Sequence, residues 1–160
     1  MYNNILVAID GSHTSDLALR EAIKLAKNSG KLTAVTVLDN PLQNYSSPYY
    51  IAFNFDEAHA EFHKYAENIL ENAECVAERL GNIKLKTCLV DMGSNSGHND
   101  IAHAIEKTAH DYHADLIVIG THGRRGFKRF FLGSVAEQVV RESRIPVLLI
   151  RGKDDDESEE

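Results

Sequence analysis

Residues 120 to 134 read Gly-Thr-His-Gly-Arg-Arg-Gly-Phe-Lys-Arg-Phe-Phe-Leu-Gly-Ser, four glycines among fifteen residues, with four cations and no acid. Backbone amides can crowd around an anion only where no Cβ intrudes, so Gly120, Gly123 and Gly133 suit a phosphate cradle. Gly133-Ser134 stands where a helix should begin. Unpaired amides and the helix dipole favour an anion there by about 0.3–1 kcal/mol per charge, and Ser134 adds a hydroxyl donor. A solvated basic loop whose glycines only make turns is the plainer reading. Two familiar phosphate motifs are absent: there is no Gly-x4-Gly-Lys-Ser/Thr, and Asp10-Gly11-Ser12-His13 lacks Gly-x-Gly-x-x-Gly.

The elements around this loop alternate. Ile5 to Ile9 is a continuous apolar run ended by Asp10-Gly11-Ser12, as in a strand covered on both faces. Leu19, Ala22, Ile23 and Ala26 then keep helical spacing up to Asn28-Ser29-Gly30. Leu32 to Leu38 predicts a second strand, Ala58 to Leu80 a long helix, and Ile83 to Val90 a third strand. A helix capped by Asn99 follows, with Ile101, Ile105, Thr108 and Tyr112 on one face. Leu116 to Ile119, a helix over Val135 to Glu142, and a strand over Pro146 to Ile150 complete the domain. Five strands alternating with four helices predict an α/β fold, a five-stranded parallel doubly wound sheet. Ligands of such sheets bind beyond the carboxyl ends of the strands, which brings together Asp10-Gly11-Ser12, Val37-Leu38-Asp39 and the loop opening at Gly120.

The 160 residues carry a net charge of −7. Six acids and one base in residues 153 to 160 account for five of those charges, leaving −2 on a domain over residues 1–152. An acidic body with a local +4 loop excludes a general nucleic-acid binder and suits one small polyphosphate. No leader and no apolar run near the roughly 20 residues of a membrane span is legible, so a cytoplasmic location is expected. Cys75 and Cys88 predict two reduced, buried thiols. His59 and His63 have the four-residue spacing of paired metal ligands, and His110 and His113 lie three apart, but solvated helix faces are the expectation for both pairs. Five aromatics within residues 45–55 predict packing over the long helix, and residues 93–98 a polar loop.

Gly120-x2-Gly123-x9-Gly133-Ser134 resembles the ATP-binding signature of the universal stress protein family. Val7 to Ser12, Ala114 to Gly120 and Pro146 to Arg151 resemble that family's first, fourth and fifth strands, in the same order. The resemblance implies a Rossmann-like, adenine nucleotide alpha hydrolase-like fold. It also implies that Ala8, Ile9, Asp10, Ser12 and Val37 surround the adenine, Val37 through its backbone. Gly120 would lie by the ribose, and Gly123, Gly133, Ser134 and Val135 would wrap the phosphates, with Mg or Mn on their oxygens. His122 and Arg125 stand where many members carry other polar residues. A homodimer through Val147, Leu148, Leu149 and Ile150 is implied too, in keeping with an otherwise exposed apolar edge.

The function expected is a cytoplasmic, ATP-binding regulatory protein of the stress response with an unknown protein partner. A slow ATPase or phosphotransferase using the same pocket and a nucleotide-free dimerisation module are the alternatives. Phosphoryl transfer needs a metal-binding carboxylate and a positioned nucleophile. Asp10 is the single strand-end acid near enough to serve, which weighs toward binding.

Overall fold

The computed structural model describes residues 1–27, 30–39, 55–93, 98–122 and 132–152. The elements run β1 (Asn4–Ala8), α1 (His13–Ala26), β2 (Lys31–Leu38), α2 (Phe55–Gly81), β3 (Lys86–Asp91), α3 (His98–Asp111), β4 (Leu116–Gly120), α4 (Ser134–Glu142) and β5 (Val147–Ile150). All strand pairs are parallel, in the order β3-β2-β1-β4-β5. The expected doubly wound sheet is therefore present, and its strand order reverses between β1 and β4.

β1 beyond Asn4 and the whole of β4 are apolar because each face is covered. Ile5, Val7, Leu116 and Val118 join Leu19, Ile23, Leu70 and Val76 under α1 and α2. Leu6, Ala8, Ile117 and Ile119 join Ala102, Ile105, Ala109, Ala136 and Val139 under α3 and α4. The side chains of Leu6, Val7, Ile117 and Val118 are fully buried. Two cores thus grip one sheet, and its carboxyl edge is held rigidly.

Boundaries differ from the sequence reading where apolar residues serve packing instead of pairing. β3 begins at Lys86, opposite Thr33, and not at Ile83. Ile83 and Leu85 are apolar because they close the core beneath α2. Asn99 lies one residue inside α3 and so is not its N-cap. Tyr112 lies one turn past the buried Ile105 and Thr108, outside α3; it is partly exposed, and Lys86 sits over its ring. Pro146 precedes β5, and its carbonyl accepts the Ile117 amide.

The long α2 is tied to the edge strand by His59, whose Nε2 lies 2.9 Å from Asp91 Oδ2. The other Asp91 oxygen accepts the Gly93 amide at 3.0 Å, at a turn where Gly93 takes φ +66°. The Gly93 amide, and then His59, hold the Asp91 carboxyl below its ordinary value of 3.8. A carboxylate with a lowered pKa contributes stability above its unfolded value and loses it as pH falls through the folded one. Asp91→Asn should lower the thermal midpoint at pH 7 by about 1–3 °C, as for an exposed pair. The gap to the parent should close below pH 3.8 in melting curves followed by circular dichroism.

Candidate functional site

The site begins where β1 leaves the sheet. Odd-numbered residues of β2 bond β1, as in the Ile9 amide to the Val35 carbonyl at 2.9 Å, and even-numbered ones bond β3, as in the Met92 amide to the Leu38 carbonyl at 3.1 Å. Past Ile9 the chain turns away, and the Ile9 carbonyl accepts the buried Thr36 hydroxyl at 3.0 Å. By the same alternation the N–H and C=O of Val37 point toward the place β1 has vacated. A donor and an acceptor on one extended residue are thereby offered to a ligand.

The turn itself is built by Asp10-Gly11-Ser12. Gly11 has φ +81°, a conformation that L side chains rarely adopt. Asp10 Oδ1 accepts the Ser12 amide at 2.9 Å, and Ser12 Oγ accepts the Ser15 amide at 3.2 Å as the N-cap of α1. The N-terminus of α1 is thus closed by its own side chain.

Among the described residues, no side chain caps the N-terminus of α4. Gly133 is its N-cap and has no side chain to bond, while Ser134 stands one position too late to cap. The first helical bond runs from Glu137 to the Gly133 carbonyl at 2.8 Å. The amides of Ser134, Val135 and Ala136 therefore have no helical carbonyl to bond. The Gly133 amide donates to the Thr121 carbonyl at 2.8 Å, and a Cβ at 133 would come within 3.0 Å of that oxygen. His122, beside it, has Nδ1 3.0 Å from Thr121 Oγ1, while its Nε2 is buried without a hydrogen-bond partner.

These features border one cavity of about 690 Å³ at the carboxyl ends of β1, β2 and β4. Of the residues read from the sequence, Ala8, Ile9, Asp10, Ser12, Val37, Gly120, His122, Gly133, Ser134 and Val135 line it. Gly123 and Arg125, with the rest of residues 123–131, lie outside the described residues. The structure adds Phe62, Tyr65 and Ala66 from α2, Ile101 and Ile105 from α3, and Glu137 from α4. Phe62, Tyr65, Ile101 and Ile105 were legible as apolar positions at helical spacing, whereas nothing in the sequence marked Ala66 or Glu137. In a parallel sheet, though, the starts of helices lie at the carboxyl edge, so their inner faces wall a cavity where the strands stop.

The other candidates resolve separately. His59 is engaged with Asp91, and His63 Nδ1 lies 3.4 Å from Glu67 on its own helix. His113 has φ +52° in the turn after α3, with its amide on the His110 carbonyl at 3.0 Å. Among the described residues no three His, Cys, Asp or Glu side chains converge as a metal group. Both cysteines are free, but Cys75 is exposed because it falls on the outer face of α2, contrary to expectation. Cys88 is half-buried and hydrogen-bonded to Tyr112, whose phenol it pushes above its ordinary pKa. Tyr45, Tyr49, Tyr50 and Phe53, residues 94–97 and the acidic tail 153–160 lie outside the described residues, and no described helix is long and apolar enough to cross a membrane.

Comparison with known proteins agrees with this architecture. The profile of the universal stress protein family matches residues 1–151. A relative from Staphylococcus aureus (strain USA300), assigned to the universal stress proteins, is 38% identical over 151 residues, covering 94% of this chain and 84% of that one. Among solved structures, universal stress protein UspA from Lactobacillus plantarum superposes with a TM-score of 0.75 at 28% identity, over 94% of this chain and 98% of that one. A universal stress protein solved in complex with cAMP does so with a TM-score of 0.61 at 26% identity, over 93% of this chain and 96% of that one. Matched along 1–151 by the family profile and along 94% of its length by a relative, this chain belongs to the universal stress protein family.

Proposed function

We propose that this chain is a cytoplasmic regulatory protein of the stress response that binds ATP in the carboxyl-edge cavity. The observation that carries the reading is the pairing, around one cavity, of the Val37 peptide groups with the N-terminus of α4, which no described side chain caps. An adenine edge offers a ring nitrogen acceptor beside an amino donor, which the Val37 N–H and C=O complement. Phosphate oxygens suit the α4 amides, which the Gly133 cap leaves without a side-chain acceptor. The cavity volume of about 690 Å³ falls in the range usual for small-ligand sites.

Ala8, Ile9, Asp10 and Ser12 would then border the base and sugar, with Gly120 and His122 along the ribose and the first phosphate. Ser134, Val135 and Gly133 would take the terminal phosphates together with Gly123 and Arg125. A divalent ion, Mg or Mn, would be carried on the phosphate oxygens, where it neutralises charge. The likeness to a universal stress protein solved with cAMP supports an adenine nucleotide as the ligand class.

A homodimer through β5 completes the reading. The strand lies at the sheet edge as Val147-Leu148-Leu149-Ile150, without charge or proline, whereas the opposite edge strand is bounded by Lys86 and Asp91. Charges at the ends of an edge strand blunt further pairing, and β5 has none.

Three outcomes follow from these assignments. Freshly purified protein should release ATP on acid extraction, identified by mass, and calorimetry with Mg²⁺ should show Gly133→Val and Gly123→Val each weakening ATP by at least about tenfold, or ~1.4 kcal/mol. Unchanged affinity in both variants would remove the cradle. Single-turnover incubation with Mg²⁺ or Mn²⁺ should return intact ATP, whereas stoichiometric ADP would favour the ATPase. Even-numbered residues of β5 bond β4, as in the Thr121 amide to the Ile150 carbonyl, so the Leu149 amide faces outward. Leu149→Pro should therefore convert a dimer to a monomer in sedimentation while the helical signal persists.

A further inference from the structure

Thr14 lies in the first turn of α1 and does more than pack there. Its Oγ1 donates across the site to the His122 carbonyl. Ser12 Oγ donates to the same carbonyl at the longer distance of 3.5 Å while accepting the Ser15 amide. Thr14 also fits against Gly120 so closely that a Cβ there would fall 2.7 Å from Oγ1 and 2.9 Å from the Thr14 carbonyl carbon. Its methyl faces Gly152, where a Cβ would be 3.4 Å away. One side chain thus meets the end of β4, His122 two residues beyond it, and Gly152 two residues beyond β5.

The bonds continue from there to α4. Thr121, adjacent to His122, donates its amide to Ile150 at 2.9 Å and accepts the Gly133 amide at 2.8 Å. Gly133 in turn accepts the first helical bond of α4, from Glu137, at 2.8 Å. An unbroken series of hydrogen bonds and single residues therefore runs from the first turn of α1 to the first turn of α4. The hydroxyl occupies the space beside Gly120 and also directs a hydrogen bond at the His122 carbonyl, which a methyl group in its place could not do.

We propose that Thr14 is a positioning residue that, through the His122 carbonyl, sets the α4 N-terminus for the phosphate end of the bound nucleotide. The inference rests on the nucleotide reading above. It requires the hydroxyl to matter for the charged part of the ligand and not for the base, which Val37 contacts on the far side of β1.

Calorimetry of the full chain with ATP and, separately, adenosine tests it in Thr14→Val and Thr14→Ser. Thr14→Val should weaken ATP about five- to tenfold and leave adenosine within about twofold, while Thr14→Ser keeps ATP within about twofold of the parent. Amide hydrogen exchange supplies a readout free of ligand: Gly133 should exchange faster in Thr14→Val, with the amides of α1 unchanged. Equal losses for ATP and adenosine would reduce Thr14 to a structural role, and unchanged ATP binding or unchanged Gly133 exchange would overturn the proposal. If the parent chain binds neither compound, the nucleotide reading itself fails, and the exchange measurement still decides whether Thr14 holds Gly133.

Discussion

The departure of β1 from the sheet after Ile9 is the constraint on which the rest of the structure depends. Its neighbours β2 and β4 continue, so a gap opens between them that backbone pairing cannot fill. Three local devices hold the chain in that departure: the positive φ of Gly11, the Asp10 bond to the Ser12 amide, and the Thr36 hydroxyl that takes over the Ile9 carbonyl. None of these residues needs a ligand to be in place. The cavity is therefore preorganised, and binding need not order the wall around β1. The same departure swings α1 across the end of β4, which is why residue 120 must lack a Cβ.

Much of this was legible because the sheet is parallel. Strands buried on both faces must be apolar throughout, so Ile5 to Ile9 and Leu116 to Ile119 announce themselves, and their alternation with helical periods leaves few topologies. Gly120 and Gly133 are read from the sequence as glycines of an anion cradle, and the structure gives each a packing reason of its own. Gly120 is demanded by the first turn of α1, and Gly133 by the close Thr121 carbonyl as well. Such contacts join segments over a hundred residues apart in the case of Thr14 and Gly120, and local patterns carry no trace of them.

What the sequence hid follows from one ambiguity. An apolar residue on a helix face can close a core or wall a cavity, and the choice depends on whether a strand lies opposite. Ile105 does both, belonging to the core under α3 and to the cavity. Phe62 and Ile101 fall at the cavity because their helices start at the edge where the strands stop. Asn99 was misplaced as a cap for a related reason: side-chain type marks a helix start only to within a residue or two.

The contrast between the two helix starts bears on which ligand the site can hold. At α1 the chain supplies its own acceptor in Ser12, so that N-terminus has little left for an anion. At α4 a glycine occupies the cap, and the serine that could have capped stands one residue later with its hydroxyl beside the open amides. A helix so built gives up only the few tenths of a kcal/mol by which a capping side chain exceeds glycine, a loss that an anion on those amides can offset. The same Thr121 that bonds Gly133 also bonds Ile150 at the end of the edge strand. The proposed nucleotide site and the proposed pairing edge thus meet at one residue, and any coupling between them requires Thr121 to differ between the free and bound states, since a ligand shifts only those equilibria whose states it binds unequally.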